Sequence, residues 1–529
     1  METKKKLLLG DEAIALGAIN AGLSGVYAYP GTPSTEITEF IQLNPLARTR
    51  GLHSRWCTNE KTAMEAALGM SYAGKRALVC MKHVGMNVCA DAFVNSAITG
   101  VNGGLAVVAA DDPSMHSSQN EQDSRFYAQF AMVPLFEPSD QQEAYEMTGE
   151  AFEFSEKVGL PVVLRMVTRL AHSRAAVAVG DTREENALNP AEGRNWVLLP
   201  AIARKQYVKL IEKQAALLQA SEESSHNILD IVGGADTGVI ACGIAWNYLQ
   251  EALAASGKKI SALKLSQYPL PEAKVKELAA SCKRIIVMED GQPIVEQLIK
   301  GIVPDNVSVE GRLTGILPRT GELNPDSVAA AIGVEPAQMR SASTLLAPRP
   351  PQLCPGCGHR DVYAALNKVL KDYPSARVFG DIGCYTLGAL PPFATLSSTV
   401  DMGASITMAK GAADSGVFPS VAVIGDSTFT HSGMTGLLDA ANENTPMTVV
   451  ISDNLTTAMT GGQDSAGTSK FEAICTALGV PAGHVKVVVP LPANMEEITR
   501  IIREEIEYKG LSVIIPRREC MQTLKRHKK

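Results

Sequence analysis

Val421-Ala-Val-Ile-Gly-Asp-Ser-Thr-Phe-Thr-His-Ser-Gly433 and Val449-Val-Ile-Ser-Asp-Asn-Leu-Thr-Thr-Ala-Met-Thr-Gly-Gly462 decide the fold. Val421–Ile424 is a short apolar run, the pattern of a buried parallel strand. It ends in Gly425-Asp426-Ser427. A second apolar run, Met447–Ile451, ends in Asp453-Asn454. Between Asp426 and Asn454 lie 27 residues, with a helix-like stretch from Gly433 to Ala441. This reads as a βαβ unit with a polar residue at the carboxyl tip of each strand, where open α/β sheets bind ligands. A carboxylate, an amide oxygen and a backbone carbonyl are hard oxygen ligands, which suit octahedral Mg²⁺ with phosphate oxygens and water. The alternative is a generic strand–turn–helix whose Asp caps the helix.

The spacing resembles the thiamine diphosphate motif, a Gly-Asp-Gly followed by a distant Asn. That resemblance implies that Asp426 and Asn454 bind Mg²⁺ by side chain and Thr456 by its carbonyl. It also implies cofactor contacts from Gly425 and Ser427. The motif's third residue is usually Gly; Ser427 departs from it, and a serine can still donate to a phosphate.

The chain of 529 residues is long enough for three or four domains. Its 45% apolar and 20% charged content is that of an ordinary globular protein. A net charge of −7 argues against a nucleic-acid footprint. The basic tail Lys525–Lys529 reads as solvated. No run of 18 apolar residues suggests a membrane span, and the N-terminal apolar run is too short for a signal peptide. The expectation is a cytoplasmic protein. There its ten cysteines are core thiols or metal ligands rather than disulfides.

Strand-like and helical stretches alternate through residues 1–175, the rhythm of a doubly wound parallel-sheet domain. Residues 176–236 read as a linker plus a helix from Ala201 to Ser224. Residues 237–346 read as a smaller α/β domain, with Arg284–Met288 ending in Glu289-Asp290. The stiff Ala347-Pro-Arg-Pro-Pro-Gln352 marks a boundary. Residues 347–529 form a third α/β domain that holds the opening motif. The expected class is multidomain α/β, two doubly wound domains flanking a smaller one.

Four further groups carry chemistry. Pro30-Gly-Thr-Pro-Ser34 is a turn at a strand tip exposing Thr32, or simply the start of a helix capped by Ser34 or Thr35. Thr58-Asn-Glu-Lys-Thr62 opens a helix with Thr58 or Asn59 as N-cap. Ala63, Ala66, Ala67 and Met70 take its inward spacing, Glu60 its first turn and Glu65 its surface. Glu60 alone could be there only to favour the helix dipole. Met81-Lys-His-Val-Gly85 and the polar loop Ala110–Arg125 offer Lys82, His83 and Arg125 to a carboxylate, with Arg125 equally open to a surface role. Cys354-Pro-Gly-Cys357, with Cys384 and Cys520 far along the chain, suits four thiolates around zinc or an iron–sulfur cluster. The other six cysteines read as buried thiols.

Together AYPGTPSTEI, NEKTAMEAA, MKHVGMNVCAD, ADDPSMHSSQNEQDSRFYA, CPGCGH, DIGCYTLG and DMGASI resemble the α subunits of indolepyruvate ferredoxin oxidoreductases, in the thiamine-dependent 2-oxoacid:ferredoxin oxidoreductase superfamily. The resemblance covers nearly the whole chain. It implies a pyrimidine-binding domain at 1–175, a transketolase C-terminal-like domain at 237–346 and a diphosphate-binding domain at 347–529. It implies Glu60 as the carboxyl group on the pyrimidine ring, His83 as a cofactor neighbour, and Met402 and Gly403 near the thiazolium. Thr32 and Arg125 would face the substrate carboxylate. Cys354, Cys357, Cys384 and Cys520 would hold one [4Fe–4S] cluster.

The implied reaction is oxidative decarboxylation of an aryl pyruvate with CoA, electrons passing to ferredoxin. The implied assembly is an α2β2 heterotetramer with a small, CoA-facing β subunit. Many such α subunits continue into a ferredoxin-like domain with two CxxCxxCxxxCP runs, and these 529 residues contain neither run. A non-oxidative thiamine decarboxylase, or a scaffold subunit that keeps only the fold, are the alternatives.

Overall fold

The computed structural model of the chain describes residues 4–190, 196–336, 343–347 and 349–527. Pro348 of the proline-rich stretch and Lys528 and Lys529 of the basic tail lie outside the described residues. The chain divides into two units, Met1–Arg340 and Ser341–Lys529.

In the first unit a seven-stranded sheet runs in the order Gln267–Tyr268, Leu135–Phe136, Val162–Val167, Leu105–Asp111, Ala77–Lys82, Gly25–Ala28, His53–Trp56. Its three central strands are buried along their whole length, as continuous apolar runs dictate for a parallel sheet covered on both faces. Every neighbouring pair is parallel except Gln267–Tyr268 against Leu135–Phe136. After Gly25–Ala28 the chain lays His53–Trp56 to one side, then crosses back to lay Ala77–Lys82 on the other. The switch point therefore falls at the tips of Gly25–Ala28 and Ala77–Lys82, where Thr32 and Lys82 stand.

A five-stranded sheet, ordered Ser308–Glu310, Arg284–Met288, Thr237–Cys242, Ser261–Leu265, Leu229–Asp230, forms the second layer of this unit. Two findings correct the reading of 176–236 as linker and helix. Strand Arg174–Val179 runs across the expected boundary and pairs antiparallel with Lys4–Leu9. Leu229–Asp230 joins the five-stranded sheet. The helix between them spans Pro200–Glu222, started by a proline whose missing N–H is no loss in the first turn.

The two sheets of the first unit are joined by buried charge. Arg165, fully buried within strand Val162–Val167, pairs with Asp111 at 2.6 Å and with Glu137, and lies 3.5 Å from Asp123. Its Nη2 donates to the carbonyl of Asp290 at 2.8 Å. Arg125 pairs with Asp123 at 2.5 Å and with Glu289 at 2.7 Å. Burial by itself would raise Asp123, but the two arginines outweigh it and hold it at about 2. Asp290, also buried, is pushed by that burial up to about 6 despite Arg312 at 3.3 Å.

The second unit is a six-stranded parallel sheet in the order Ser398–Thr399, Arg377–Gly380, Ser420–Gly425, Thr448–Ser452, Ser512–Pro516, Val485–Val488. Its switch point lies between Arg377–Gly380 and Ser420–Gly425. The expected helix after Asp426 is there, but it starts earlier. Asp426–Thr428 leads through a π-helical turn, Phe429–Gly433, into Met434–Asn442.

Replacing Arg165 by Met would leave Asp111 and Glu137 buried without their cation. The expected loss is about 3–5 kcal/mol of stability, the usual result of breaking a buried ion pair from one side. Urea unfolding of the full chain checks it; a loss under about 1 kcal/mol would show that the network is dispensable.

Candidate functional site

The tip of strand Gly25–Ala28 turns through Pro30-Gly31-Thr32. The Gly31 N–H donates to Thr35 Oγ1 at 3.0 Å, and Ser34 Oγ donates to the Gly31 carbonyl at 2.8 Å. Ser34 occupies the N-cap position of helix Thr35–Leu43 without a side-chain cap bond. Thr32 stays half-buried.

Glu60 opens helix Glu60–Tyr72, capped by Asn59, whose side chain accepts from Thr62 N at 2.9 Å. The Glu60 side chain is buried rather than solvated as a dipole-favouring carboxylate would be. It packs on Gly85, where a Cβ would come within 2.6 Å of Glu60 Cγ. Glu65 is exposed, as expected, with Lys61 as partner. The inward face is Ala63, Met64 and Ala67; Ala66, expected inside, is exposed, and Met70 is half-buried.

Gly85 lies in the first turn of helix His83–Thr99, which follows strand Ala77–Lys82 directly. His83 is buried, with Nε2 against the Asn120 carbonyl at 3.2 Å and Nδ1 without a partner. Lys82 Nζ donates to the Ser117 carbonyl at 2.7 Å, and Ser117 Oγ lies 3.5 Å from the Thr32 carbonyl. Burial brings Lys82 down to about 8, against the pull of Asp112. Thr32, Glu60, Lys82 and His83 thus gather at the switch point of this sheet, with the loop Asp112–Ser124 folded over Lys82 and His83.

Arg125 does not join them. Nε and Nη2 donate to Asp123, Nη1 to Glu289, and Nη2 also to the carbonyls of Asp290 and Gln292. Its side chain is 1% exposed. Neither a surface residue nor a group turned to a substrate, it is a structural cation. A sequence cannot tell these apart, because the partners Glu289 and Asp290 lie far along the chain.

In the second unit Asp426 sits at the tip of strand Ser420–Gly425, buried. Its Oδ1 accepts from Ser427 N at 2.8 Å and its Oδ2 from Thr456 N at 3.1 Å. Asn454 Oδ1 accepts from the same Thr456 N, also at 3.1 Å. The carboxylate and the amide oxygen therefore stand at one N–H donor, two hard oxygens of the kind Mg²⁺ takes. Burial, with Asp453 nearby, pushes Asp426 up to about 7 against its two backbone bonds. A cation bound there would favour the charged form. Ser427 Oγ lies 2.6 Å from Thr457 Oγ1, which ties the strand tip to the Asn454–Thr457 loop.

Asp381, at the tip of Arg377–Gly380, was not singled out by the sequence. It accepts from Gly403 N at 3.1 Å, Ser405 N at 3.3 Å and Ser405 Oγ at 2.7 Å, and from the Tyr385 hydroxyl. These bonds pin the Met402-Gly403 turn. Gly403 has φ of +95° and a Cβ there would meet Ser432 Cβ at 2.7 Å, so only glycine fits. Its signal was present in Gly380-Asp381-Ile-Gly, a second strand tip ending in a carboxylate.

Cys354, Cys357, Cys384 and Cys520 line one cavity of about 160 Å³, together with His359, Asp453, Asn454 and Arg518. Burial pushes the Cys384 thiol up to about 12, and Cys520, Cys357 and Cys354 add to the effect. His359, neutral because burial lowers it to about 4, lies with Nδ1 3.1 Å from Cys357 Sγ. Among the described residues only Asp11, Glu36 and His172 bring three ligand atoms within 4.8 Å of one another; no three of the four sulfurs do. Around a single tetrahedral zinc, with Zn–S about 2.3 Å, sulfurs would stand about 3.8 Å apart. The four sulfurs are therefore set wider than one tetrahedral zinc would hold them. The cavity also meets the oxygen site: Cys520 N donates to the Asn454 carbonyl at 3.1 Å. Of the other six thiols, Cys80, Cys89, Cys242 and Cys475 are buried, while Cys57 and Cys282 are half-buried.

Two family profiles match the chain. One, described as "Pyruvate flavodoxin/ferredoxin oxidoreductase, thiamine diP-bdg", covers residues 16–215. The other, "Thiamine pyrophosphate enzyme, C-terminal TPP binding domain", covers residues 381–515. The indolepyruvate oxidoreductase subunit IorA of Methanothermobacter thermautotrophicus is 38% identical over 551 residues, covering 98% of this chain and 87% of the relative. The subunit of the same name from Archaeoglobus fulgidus is 38% identical over 548 residues with the same coverage. A 2-oxoglutarate:ferredoxin oxidoreductase from Magnetococcus marinus shares the fold at a TM-score of 0.50 and 18% identity, over 62% of this chain and 64% of that one.

Gly85→Ala tests the placement of Glu60. The added methyl group must displace the Glu60 side chain, costing about 1–3 kcal/mol as overpacking does. A crystal structure of the variant should show the Glu60 carboxylate moved. An unmoved carboxylate with unchanged stability would mean that the two elements are packed more loosely than described.

Proposed function

The chain belongs to the family of the indolepyruvate oxidoreductase subunit IorA, and from that premise we propose that it catalyses oxidative decarboxylation of an aryl pyruvate such as indolepyruvate. It is an oxidoreductase acting on 2-oxo acids, with thiamine diphosphate-binding domains at both ends of the chain. One 2-oxo acid anion and one CoA thiol give an arylacetyl-CoA, CO₂, a proton and two electrons, which pass singly to ferredoxin. A small β subunit in an α2β2 assembly supplies the CoA-facing part.

When bound, thiamine diphosphate supplies a carbon nucleophile and an electron sink, and a [4Fe–4S] cluster a one-electron acceptor. The residues present fit both groups. Asp426, Asn454 and the Thr456 carbonyl would hold Mg²⁺, with Gly425 and Ser427 beside the diphosphate. Asp381 holds the Met402-Gly403 turn that would border the thiazolium. Glu60 would hold a proton at the pyrimidine ring, with His83 beside it, and the Thr32 hydroxyl would bond the substrate. Cys354, Cys357, Cys384 and Cys520 would ligate the cluster.

The observation that carries this reading is Asn454. Its side chain converges with Asp426, while its carbonyl accepts from Cys520 N at the thiol cavity. One residue thus links the oxygen pair to the thiol cavity, which supports a cofactor coupled to thiol ligands, a link a non-oxidative decarboxylase has no use for.

Anaerobically purified protein should contain about four iron and four acid-labile sulfide per chain, with a low-temperature EPR signal after dithionite reduction. Cys520→Ser should lose or alter that signal. Protein without iron would favour the non-oxidative decarboxylase.

Glu60→Gln should bind thiamine diphosphate but lose about 10²–10⁴-fold in turnover, the usual worth of a positioned proton-transfer group. Asp426→Asn should weaken Mg²⁺-dependent cofactor binding in calorimetry. Wild-type turnover in Glu60→Gln, with no cofactor bound by wild type, would point to a scaffold subunit.

A further inference from the structure

We propose that Lys82 is the anchor for the carboxylate of the 2-oxo acid, a role that deepens and rests on the oxidoreductase reading above.

The argument begins with where the positive charges of the first unit go. Arg125 and Arg165 are engaged by buried carboxylates. Lys82 is different. It is 8% exposed, yet among the described residues no carboxylate lies within 4 Å of its ammonium. Its acceptors are both neutral, the Ser117 carbonyl at 2.7 Å and Ser117 Oγ at 3.4 Å.

Asp112, the acid whose charge reaches it, is occupied. Asp112 Oδ2 accepts from Ser117 N at 2.9 Å and Ser118 Oγ at 2.5 Å, and Oδ1 accepts from Thr168 Oγ1 at 2.8 Å. An ammonium carries three donors, so two neutral acceptors on one residue leave capacity for an anion. A buried cation without a counter-ion is costly, and a bound carboxylate relieves that cost.

Position agrees. Lys82 ends strand Ala77–Lys82 at the switch point of the sheet, where ligands bind in such folds. Gly31 of the Pro30-Gly31-Thr32 turn lies against its stem: a Cβ there would come within 3.1 Å of Lys82 Cβ. Ser117, which holds the ammonium, also reaches the Thr32 carbonyl. Lys82 is therefore framed by the turn that carries Thr32, and His83, next in the chain, opens the helix that packs on Glu60. Burial also brings Lys82 down to about 8, against the pull of Asp112.

The test uses the intact holoenzyme, as wild type, Lys82→Met and Lys82→Arg. Three quantities are read: KM and kcat for indole-3-pyruvate, calorimetric affinity for thiamine diphosphate with Mg²⁺, and affinity for the unreactive indole-3-propionate against its uncharged amide. A charge-assisted bond predicts that Lys82→Met raises KM about 30-fold or more, with kcat falling far less. The acid-over-amide preference of wild type should vanish in Lys82→Met and persist in Lys82→Arg, while cofactor affinity stays unchanged.

Unchanged KM and acid preference in Lys82→Met would overturn the proposal. So would a loss of cofactor affinity with KM unmoved, which would make Lys82 a cofactor residue. If Lys82→Met does not fold, by circular dichroism, Lys82→Arg decides: loss of acid preference with the charge kept would overturn the assignment. If wild type turns over no 2-oxo acid, the function proposed above fails, and the acid–amide comparison still decides whether Lys82 binds a carboxylate.

Discussion

Arg125 and Arg165 lie in the interior of the first unit with Asp111, Asp123, Glu137 and Glu289 around them. Charges so far from water are retained only where each finds a partner, and removing one strands the rest. Here the partners come from two sheets, so the ion pairs also fix where the sheets meet. They fix the site loop too. Asp111 accepts from Ser124 N at 3.0 Å and from Ser124 Oγ at 2.5 Å, and Asp123 is gripped by Arg125. The end of the loop Asp112–Ser124 is thereby clamped, and from it hang Ser117 and Asn120, the contacts of Lys82 and His83.

The second unit meets a similar problem with neutral donors. Asp381 and Asp426 stand at neighbouring strand tips across a switch point, both buried and both pushed up to about 7 mainly by that burial. Asp381 is satisfied by the turn it holds, through two backbone N–H groups and two hydroxyls. Asp426 accepts backbone bonds from Ser427 and Thr456 and shares the second with Asn454. Two carboxylates of the same type in equivalent places thus differ in what they lack. One is complete as a brace, and the other has oxygen capacity left for a ligand.

What the sequence disclosed follows the range of the interactions involved. Asp426, Asn454 and the four cysteines could be picked out because ligand chemistry limits both residue type and approximate spacing, and the fold brings each set together. Glu60 was legible as a first-turn residue, and its burial was not, since that depends on Gly85 in another element. Arg125 was misread for the same reason. An arginine in a polar loop looks like a binder until its buried partners are known. Ala66 was put inside by helical period alone, and Met64, larger and also on the sheet-facing side, took the core position. Short strands such as Gln267–Tyr268 and Leu229–Asp230 carry too few residues for any alternation to show.

Gln267–Tyr268 matters beyond its length. It follows Ser261–Leu265 of the five-stranded sheet almost at once, yet pairs with Leu135–Phe136 at the edge of the seven-stranded one. The smaller α/β layer thereby caps an edge that would otherwise present unpaired backbone groups to any passing chain. In evolutionary terms the two layers are not interchangeable cassettes. A lineage that lost or exchanged the smaller one would expose a sticky sheet margin and would need a new cover for it in the same step. Shuffling of modules within this unit is constrained by a strand of two residues.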